Sequence, residues 1–306
     1  EHAPNQLIQR FVWCILKTDE DILMAHFLNS VIVLAIGAVL SACGGGGGDG
    51  VGGVADNQQI TTVKARTLSY SQQAVILVAG VDLRNTMSAV TGVCKNPVFN
   101  EAQSVPELAI INCLVTAAGE QPLTITGSNG KVLYSGTVTV PLPQVEMVTS
   151  EGSITLELNP AAAPLSVDNF LAYAKDGYYR DTLFHRVIAG FAAQAGGYTS
   201  GVVKKPGQRA PISLESNNGL LNSRSTLAMA RTDAPNSATS EFYINLVDNA
   251  FLDYKNAASP GYAVFGKVIK GMDVVDKIAA LPTARLNSFA NVPLVDVKIQ
   301  LVVQIQ

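Results

Sequence analysis

Alternating apolar and polar positions predict a strand near each end of the second half of the chain. The first strand is expected to turn Ile154, Leu156 and Leu158 inward. The last is expected to do the same with four residues, namely Val295, Val297, Ile299 and Leu301. Because successive side chains of a strand point to opposite faces, this period indicates strands with one buried face.

Two segments between these strands have a helical period instead. The first places Val167, Phe170, Leu171 and Ala174 on one face, with Ser166 as the predicted N-cap and Gly177 as the stop. The second contains Met272, Val275, Ile278 and Ala279 and ends before Pro282. Strands dominate the rest, so residues 144–306 are predicted to form a mostly β domain, a closed or nearly closed antiparallel barrel with two helices.

Residues 57–143 show short alternating segments and no helical period. Asn129-Gly130 lies between two such segments, and this dipeptide is a strong hairpin signal. We predict a small β-sandwich, with an immunoglobulin-like arrangement as one option. Pro141-Leu142-Pro143 is interpreted as a short stiff linker between the two domains, because proline fixes its own φ and restricts the residue before it.

The segment that starts at Met24 has the apolar run and small-residue ending of a secretion signal. Leu40-Ser41-Ala42-Cys43 resembles the bacterial lipobox, which implies cleavage before Cys43 and lipidation of that residue. An ordinary signal peptide is the alternative. Residues 1–42 are thus interpreted as upstream sequence plus signal peptide, with residues 1–23 preceding the true start. A long n-region that uses Arg10 and Lys17 is the other option.

The glycine-rich residues 43–56 are interpreted as a flexible tether for the folded part. The predicted location is the bacterial cell envelope, with the folded part in the periplasm and membrane contact through the N-terminal lipid only. Gly44, by resemblance to lipoproteins of Gram-negative bacteria, favours the outer membrane over the inner one. In such an exported protein Cys94 and Cys113 are more often bridged than free, so we predict a disulfide between them.

Composition and charge exclude two classes of function. The 306 residues contain 21 Lys and Arg against 24 Asp and Glu, a net charge of -3, which gives no basic surface for nucleic acid. Only 3 histidines are present, and the 4 cysteines have no zinc-like spacing. Multi-histidine and zinc-type metal sites are therefore excluded.

Three longer stretches carry chemical information. They are Phe184–Ile188 with the residues up to Gln194, Leu227–Asp253, and Gly261–Ile278. Together they resemble cyclophilin-type peptidyl-prolyl isomerases, close to the bacterial periplasmic branch, over roughly residues 146–306. The resemblance implies an eight-stranded barrel and catalysis of cis/trans exchange at X-Pro bonds, without cofactor or metal.

The resemblance also assigns site residues. Arg186 is the implied donor to the prolyl nitrogen, with Phe191 and Gln194 as its catalytic neighbours, and a guanidinium suits that role because it stays charged and presents planar donors. The implied substrate-binding residues are Ala192, Ala230, Arg231, Thr232, Glu241, Tyr243, Phe251, Leu252 and Tyr262. Of these, residues 230–232 correspond to the segment whose backbone holds the peptide, and Phe251 to the pocket rim. His185 is interpreted as a structural neighbour of the site.

Five positions depart from the family pattern. Ala189 stands where proline is usual, Ala192 where a large apolar residue helps to floor the pocket, and Ala195 where glycine is usual. Glu241 replaces a common glutamine, and its charge either neutralises Arg186, misplaces it or orients it. Phe251 stands at the usual tryptophan position, a change that commonly accompanies weak cyclosporin binding.

Two main functional hypotheses follow. The first is a membrane-anchored isomerase that assists the folding of exported proteins, whose partners are proline-containing polypeptide clients. The second is a weakly catalytic chaperone or adaptor that binds proline-containing segments, which Ala192, Ala195 and Glu241 favour. A third hypothesis gives the partner-binding role to the N-terminal sandwich. The sequence predicts no oligomeric state.

Overall fold

The computed structural model describes residues 58–66, 68–83, 87–127 and 130–306. The predicted signal peptide, the lipidation site Cys43 and the tether lie outside these residues, as do Ser128 and Asn129 of the predicted hairpin turn. The hairpin strands on either side of that turn are described, and they pair antiparallel.

The N-terminal part is a sandwich of seven strands. They are β1 (Gln59–Arg66), β2 (Gln73–Val81), β3 (Met87–Gly92), β4 (Cys94–Phe99), β5 (Leu108–Val115), β6 (Gly119–Gly127) and β7 (Val132–Val140). One sheet has the order β1-β2-β5-β4 and the other the order β3-β6-β7. This is the ABED and CFG arrangement of a constant-type immunoglobulin domain.

Alternate residues of both sheets fill the core of the sandwich. Ile76 and Ile111 come from the four-stranded sheet, Leu123 and Ile125 from the three-stranded sheet, and all four are at most 1% exposed. Cys94 and Cys113 are joined by a disulfide with their Cα atoms 5.3 Å apart. The bond links the neighbouring strands β4 and β5 of one sheet, whereas the immunoglobulin disulfide connects the two sheets.

The C-terminal part contains the remaining strands and two helices, α1 (Pro164–Lys175) and α2 (Met272–Ala279). Its strands are β8 (Gln144–Thr149), β9 (Gly152–Leu158), β10 (Phe184–Ile188), β11 (Ala192–Ala195), β12 (Tyr198–Thr199), β13 (Val203–Lys204), β14 (Thr226–Met229), β15 (Phe242–Asn245), β16 (Val264–Lys270), β17 (Thr283–Leu286), β18 (Phe289–Pro293) and β19 (Ile299–Gln304). Eight of them form one antiparallel sheet in the order β10-β11-β15-β14-β16-β9-β8-β19.

The two ends of this sheet meet, which makes it a nearly closed barrel. Phe184 N–H donates to the Val297 carbonyl at 3.0 Å, and Ile299 N–H donates to the Thr182 carbonyl at 2.8 Å. Helix α1 packs against β16 and β19, and α2 packs against β9, β10 and β11. Phe170 of α1 meets Phe242 edge-on at 5.5 Å in the core. The predicted fold class, a mostly β chain with an eight-stranded antiparallel barrel and two helices, is confirmed for the described residues.

Helix α1 begins differently from the prediction. Pro164 occupies its first position, a site that suits proline because no intrahelical bond is needed there. Ser166 is not the N-cap; it lies inside the first turn, and its hydroxyl donates to Glu215. Both Leu165 N–H and Ser166 N–H donate to the Glu215 carboxylate, at 2.9 and 2.8 Å. A carboxylate from a distant loop therefore caps the helix. Its predicted end is confirmed, because Gly177 follows with φ +67°.

The last strand also departs from simple alternation. Val297 and Ile299 are fully buried as predicted, but Val295 is 68% exposed and precedes β19. A bulge between Ile299 and Leu301 shifts the register with β8. Leu301 is therefore 44% exposed and Val302 takes the inward position, so the prediction for Val295 and Leu301 was wrong.

Polar contacts join the two parts of the molecule. The Tyr70 hydroxyl donates to Asp168 of α1 at 2.7 Å. Gln72 Nε2 donates to the side-chain oxygen of Gln304 at 2.9 Å, and Gln304 Nε2 donates to the Tyr70 carbonyl at 2.9 Å. A cavity of about 820 Å³ lies beside these contacts and is lined by both parts. None of the predicted site residues lines it.

Candidate functional site

The hairpin of β10 and β11 positions the predicted donor. Arg186 and Gln194 are cross-strand partners in this hairpin, so their side chains share one face of the sheet. Arg186 Nη1 lies 3.5 Å from Gln194 Oε1, and the guanidinium carbon is 5.7 Å from the centre of the Phe191 ring. The structure therefore brings together Arg186, Phe191 and Gln194.

A second apolar cluster, separate from the main core, lies beside this hairpin, and we call it the pocket lining after the role that the family resemblance implies. Its buried members are Ala192, Ala228, Tyr243 and Val264. The partly buried side chains packed against them are Phe191, Leu220, Ala230, Leu252 and Tyr262. Six of these nine residues belong to the predicted site. Ala228, Val264 and Leu220 were missed, although the first two lie within the sequence stretches that carried the resemblance.

Aromatic rings define the wall and rim of the pocket. Tyr243 and Tyr262 meet nearly edge-on with ring centres 5.9 Å apart. Phe251 is 63% exposed and stacks on Phe191 at 5.7 Å, which places it at the rim. The Tyr243 hydroxyl donates to Asn222 Oδ1 at 2.7 Å, and burial raises the pKa of this phenol. Asn222 lies in a loop without any sequence pattern, so it was not predicted.

The loop 230–232 borders the pocket on the side of Tyr262. Ala230 N–H donates to the Glu241 carbonyl, and Thr232 N–H donates to the Ser237 hydroxyl. No partner for Arg231 N–H is found within the described part of the chain. The Arg231 side chain binds the Gly261 carbonyl through Nε and Nη2, and its guanidinium lies 4.6 Å from the Tyr262 ring centre. The loop thus presents a backbone donor beside an anchored aromatic wall.

A polar cluster lies behind Arg186. Gln194 Nε2 donates to Glu241 Oε2 at 2.9 Å, and His185 Nε2 lies 3.3 Å from the same oxygen. Burial raises the pKa of the Glu241 carboxyl, but the hydrogen bonds from His185 and Gln194 and the charges of His185 and Lys204 lower it by more, so the net direction is down. Glu241 is therefore ionised at neutral pH and can only accept hydrogen bonds.

The arrangement of the site is suited to hydrogen-bond donation. The charged planar donor Arg186 lies against Phe191, a member of the apolar cluster. The described residues contain no group of three or more His, Cys, Asp or Glu side chains able to hold a metal ion. Hydrogen-bond donation to a group seated in the pocket is what this arrangement supports.

Comparison with known proteins places this site in a family. Residues 144–303 match the family described as "Cyclophilin type peptidyl-prolyl cis-trans isomerase/CLD", which is more than half of the chain. The chain belongs to the cyclophilin family. The predicted family resemblance is thereby confirmed for the C-terminal part, which we call the cyclophilin domain. This assigns the domain to the peptidyl-prolyl cis-trans isomerases.

Bacterial relatives share about half of the residues of the cyclophilin domain. A peptidyl-prolyl cis-trans isomerase of Acinetobacter baylyi is 53% identical over 155 residues, which cover 51% of this chain and 81% of the relative. Peptidyl-prolyl cis-trans isomerase B of Escherichia coli is 48% identical over 154 residues, 50% of this chain and 93% of the relative. Among solved structures, a Cryptosporidium parvum cyclophilin with the dipeptide Ala-Pro is 25% identical, with a TM-score of 0.44 over 53% of this chain and 99% of that one.

Ala195 replaces the usual glycine of the cyclophilin domain without strain. It lies in strand β11, is fully buried and is absent from the residues with positive φ. The position that needs glycine is the next one: Gly196 has φ +91°, and a Cβ there would approach the Ser240 carbonyl oxygen to 2.7 Å. The substitution at Ala195 therefore leaves the backbone of the hairpin intact.

Ala192 is a buried member of the apolar cluster, at the position where the resemblance implies the pocket floor. The Ala192→Met variant is expected to bind prolyl substrates more tightly. A full apolar side chain contributes about 1.5–3 kcal/mol when buried, and only part of it would contact the substrate ring. We expect KM to fall about three- to tenfold, because each 1.36 kcal/mol is a factor of ten. Steady-state kinetics on an X-Pro peptide measure this, with Ala192→Ser as the control of similar size. An unchanged or higher KM would contradict it.

Proposed function

We propose that the chain is a peptidyl-prolyl isomerase of the bacterial cell envelope in which Arg186 donates to the prolyl nitrogen. The observation that carries the proposal is the position of Arg186 beside the apolar cluster that contains Phe191, Leu252 and Tyr262. The pocket holds the proline ring, and residues 230–232 hold the peptide backbone that precedes or follows it.

The reaction explains why such a site needs no nucleophile. Rotation about the X-Pro bond breaks amide resonance, against a barrier of about 18–20 kcal/mol. In the twisted state the prolyl nitrogen regains its lone pair, so a donor aimed at it stabilises that state more than the planar one. No covalent bond is made or broken. Phe191 and Leu252 keep water away from the pocket and strengthen the hydrogen bond from Arg186.

An exchange assay tests the isomerase proposal. The purified full chain is added to an X-Pro peptide, and interconversion of the cis and trans forms is followed by NMR without a coupled protease. Uncatalysed exchange takes tens to hundreds of seconds, and an exchange rate well above the uncatalysed one supports the proposal. If the peptide binds to the pocket but exchange is not accelerated, the weakly catalytic chaperone is the better description.

The proposed clients are exported polypeptides with proline-limited folding. The sequence features that support this are the signal-like segment after Met24 and the lipobox-like residues that end at Cys43. The disulfide between Cys94 and Cys113 agrees with an oxidising compartment. Within the described residues no helix is long and apolar enough to cross a membrane. We propose attachment through a lipid on Cys43, with the outer membrane as the site.

Metabolic labelling tests the lipid anchor. Cells that express the full chain are fed radiolabelled palmitate, and the wild-type protein is expected to incorporate the label. The Cys43→Ser variant is expected to lose it, because the thiol is the proposed attachment point. The Cys94→Ser/Cys113→Ser variant, which keeps Cys43, serves as the control and is expected to stay labelled. Label in the Cys43→Ser variant, or none in the wild type, would refute the lipid anchor.

A further inference from the structure

Glu241 is linked to Arg186 through the side chain of Gln194. Its carboxylate does not pair with Arg186; Oε2 accepts from Gln194 Nε2 and lies 3.3 Å from His185 Nε2. Arg186 contacts the opposite end of the same Gln194 amide. The four side chains therefore form a chain in the order His185, Glu241, Gln194, Arg186.

The chemistry of these groups fixes the direction of the amide. A glutamine amide has one end that accepts and one that donates, and it can turn over when both neighbours allow it. An ionised carboxylate only accepts, so it must face the amide nitrogen. Gln194 Oε1 is then forced towards Arg186, which only donates.

The surroundings hold Glu241 in place for this task. His185 is 2% exposed, and its ring packs against Tyr198 at 4.6 Å, so its Nε2 is fixed towards the carboxylate. Gly197 leaves room on the other side, since a Cβ there would lie 2.6 Å from Glu241 Cγ. The charged and titratable groups around the carboxylate are His185, Lys204 and Tyr198.

We propose that Glu241 is a positioning residue of the isomerase site, which holds the Gln194 amide so that its oxygen faces and orients Arg186. This inference rests on the proposed isomerase function. Of the three effects of Glu241 on Arg186 that the sequence left open, it selects orientation, transmitted through Gln194. Because Arg186 acts on the twisted state, a loss of orientation lowers kcat rather than raising KM.

The test uses two variants of similar size in the full chain. Glu241→Met removes the acceptor and is expected to lower kcat about tenfold with KM changed less than about twofold. Glu241→Gln keeps an acceptor oxygen and is expected to stay within about threefold of the wild type. Glu146→Gln on strand β8 controls for the loss of one negative charge. Equal kcat values for Glu241→Met and Glu241→Gln would overturn the proposal.

A double-mutant cycle separates positioning from a merely structural role. In the Gln194→Ala background, the Glu241→Met substitution is expected to change kcat less than about twofold, because the amide that transmits the effect is gone. The full tenfold loss in that background would overturn the proposal. Thermal melts of each variant show whether the domain is folded under assay conditions.

A spectroscopic measurement keeps this test independent of activity. The side-chain amide protons of Gln194 are observed by ¹⁵N NMR in the wild type and in Glu241→Met. One proton is expected to shift upfield and exchange faster with water in Glu241→Met, since its carboxylate acceptor is lost. An unchanged Gln194 signal would refute the positioning role, even if the wild type showed no isomerase activity. Conversely, an inactive wild type with the expected amide shift would refute only the proposed function.

Discussion

The Arg186→Ala variant is expected to lose most of the isomerase activity of the full chain while keeping its fold. A charge-assisted hydrogen bond contributes about 1.5–3 kcal/mol, so kcat/KM is expected to fall about 10- to 150-fold. Arg186 is only partly buried, and its side chain contacts Gln194 and the Phe191 ring. Removal of the guanidinium therefore leaves the main core untouched. Exchange NMR on an X-Pro peptide gives the rates.

Two controls make this result specific. Arg186→Lys keeps the positive charge but not the planar fork of donors, and is expected to recover only part of the loss. Arg285→Ala removes the same side chain from the exposed strand β17 and is expected to behave as the wild type. If Arg186→Ala retains wild-type kcat/KM, Arg186 is not the donor, and the rate must come from the pocket alone.

The fold was predictable where local periodicity determines the structure. The predictions were wrong where residues distant in the sequence determine it. Strand β9 has the predicted alternation because Gly152 to Glu157 pair with β8 without a register shift. Strand β19 loses it at Leu301, because the bulge opposite β8 is set by strand pairing and leaves no local signal. The start of α1 depends on Glu215, about 50 residues further along the chain, and so Ser166 was wrongly given the capping role.

The same distinction between local sequence signals and distant contacts applies to the candidate site. Motif resemblance predicted Arg186, Gln194 and the residues of the pocket lining, because the stretches that contain them are continuous in the sequence. It left open what Glu241 does, since this depends on which atom each side chain turns towards. The bond from Gln194 to Glu241 joins β11 to the residue before β15, across 47 positions. Asn222, which orients Tyr243, had no signal at all.

Loss of the disulfide is expected to destabilise the sandwich without affecting the isomerase site. Cys94 and Cys113 are 19 positions apart, and closing a loop of that length contributes about 3 kcal/mol by the chain-entropy estimate. Both cysteines are buried within the sandwich core. The Cys94→Ala/Cys113→Ala variant is therefore expected to raise the equilibrium constant for unfolding of the sandwich about a hundredfold, since each 1.36 kcal/mol is a factor of ten.

Hydrogen exchange followed by mass spectrometry resolves this effect along the chain. Amides of β4 and β5 are expected to exchange faster in the double variant. Those of β14 and β15 are expected to keep the wild-type rate, because these strands belong to the barrel sheet and not to the sheet that the disulfide bridges. The prolyl exchange rate is expected to stay unchanged, since no site residue contacts the disulfide. Faster exchange in β14 and β15 as well would show that the Tyr70–Asp168 contact couples the stability of the two parts. Unchanged exchange in β4 and β5 would refute the stabilising role of the disulfide.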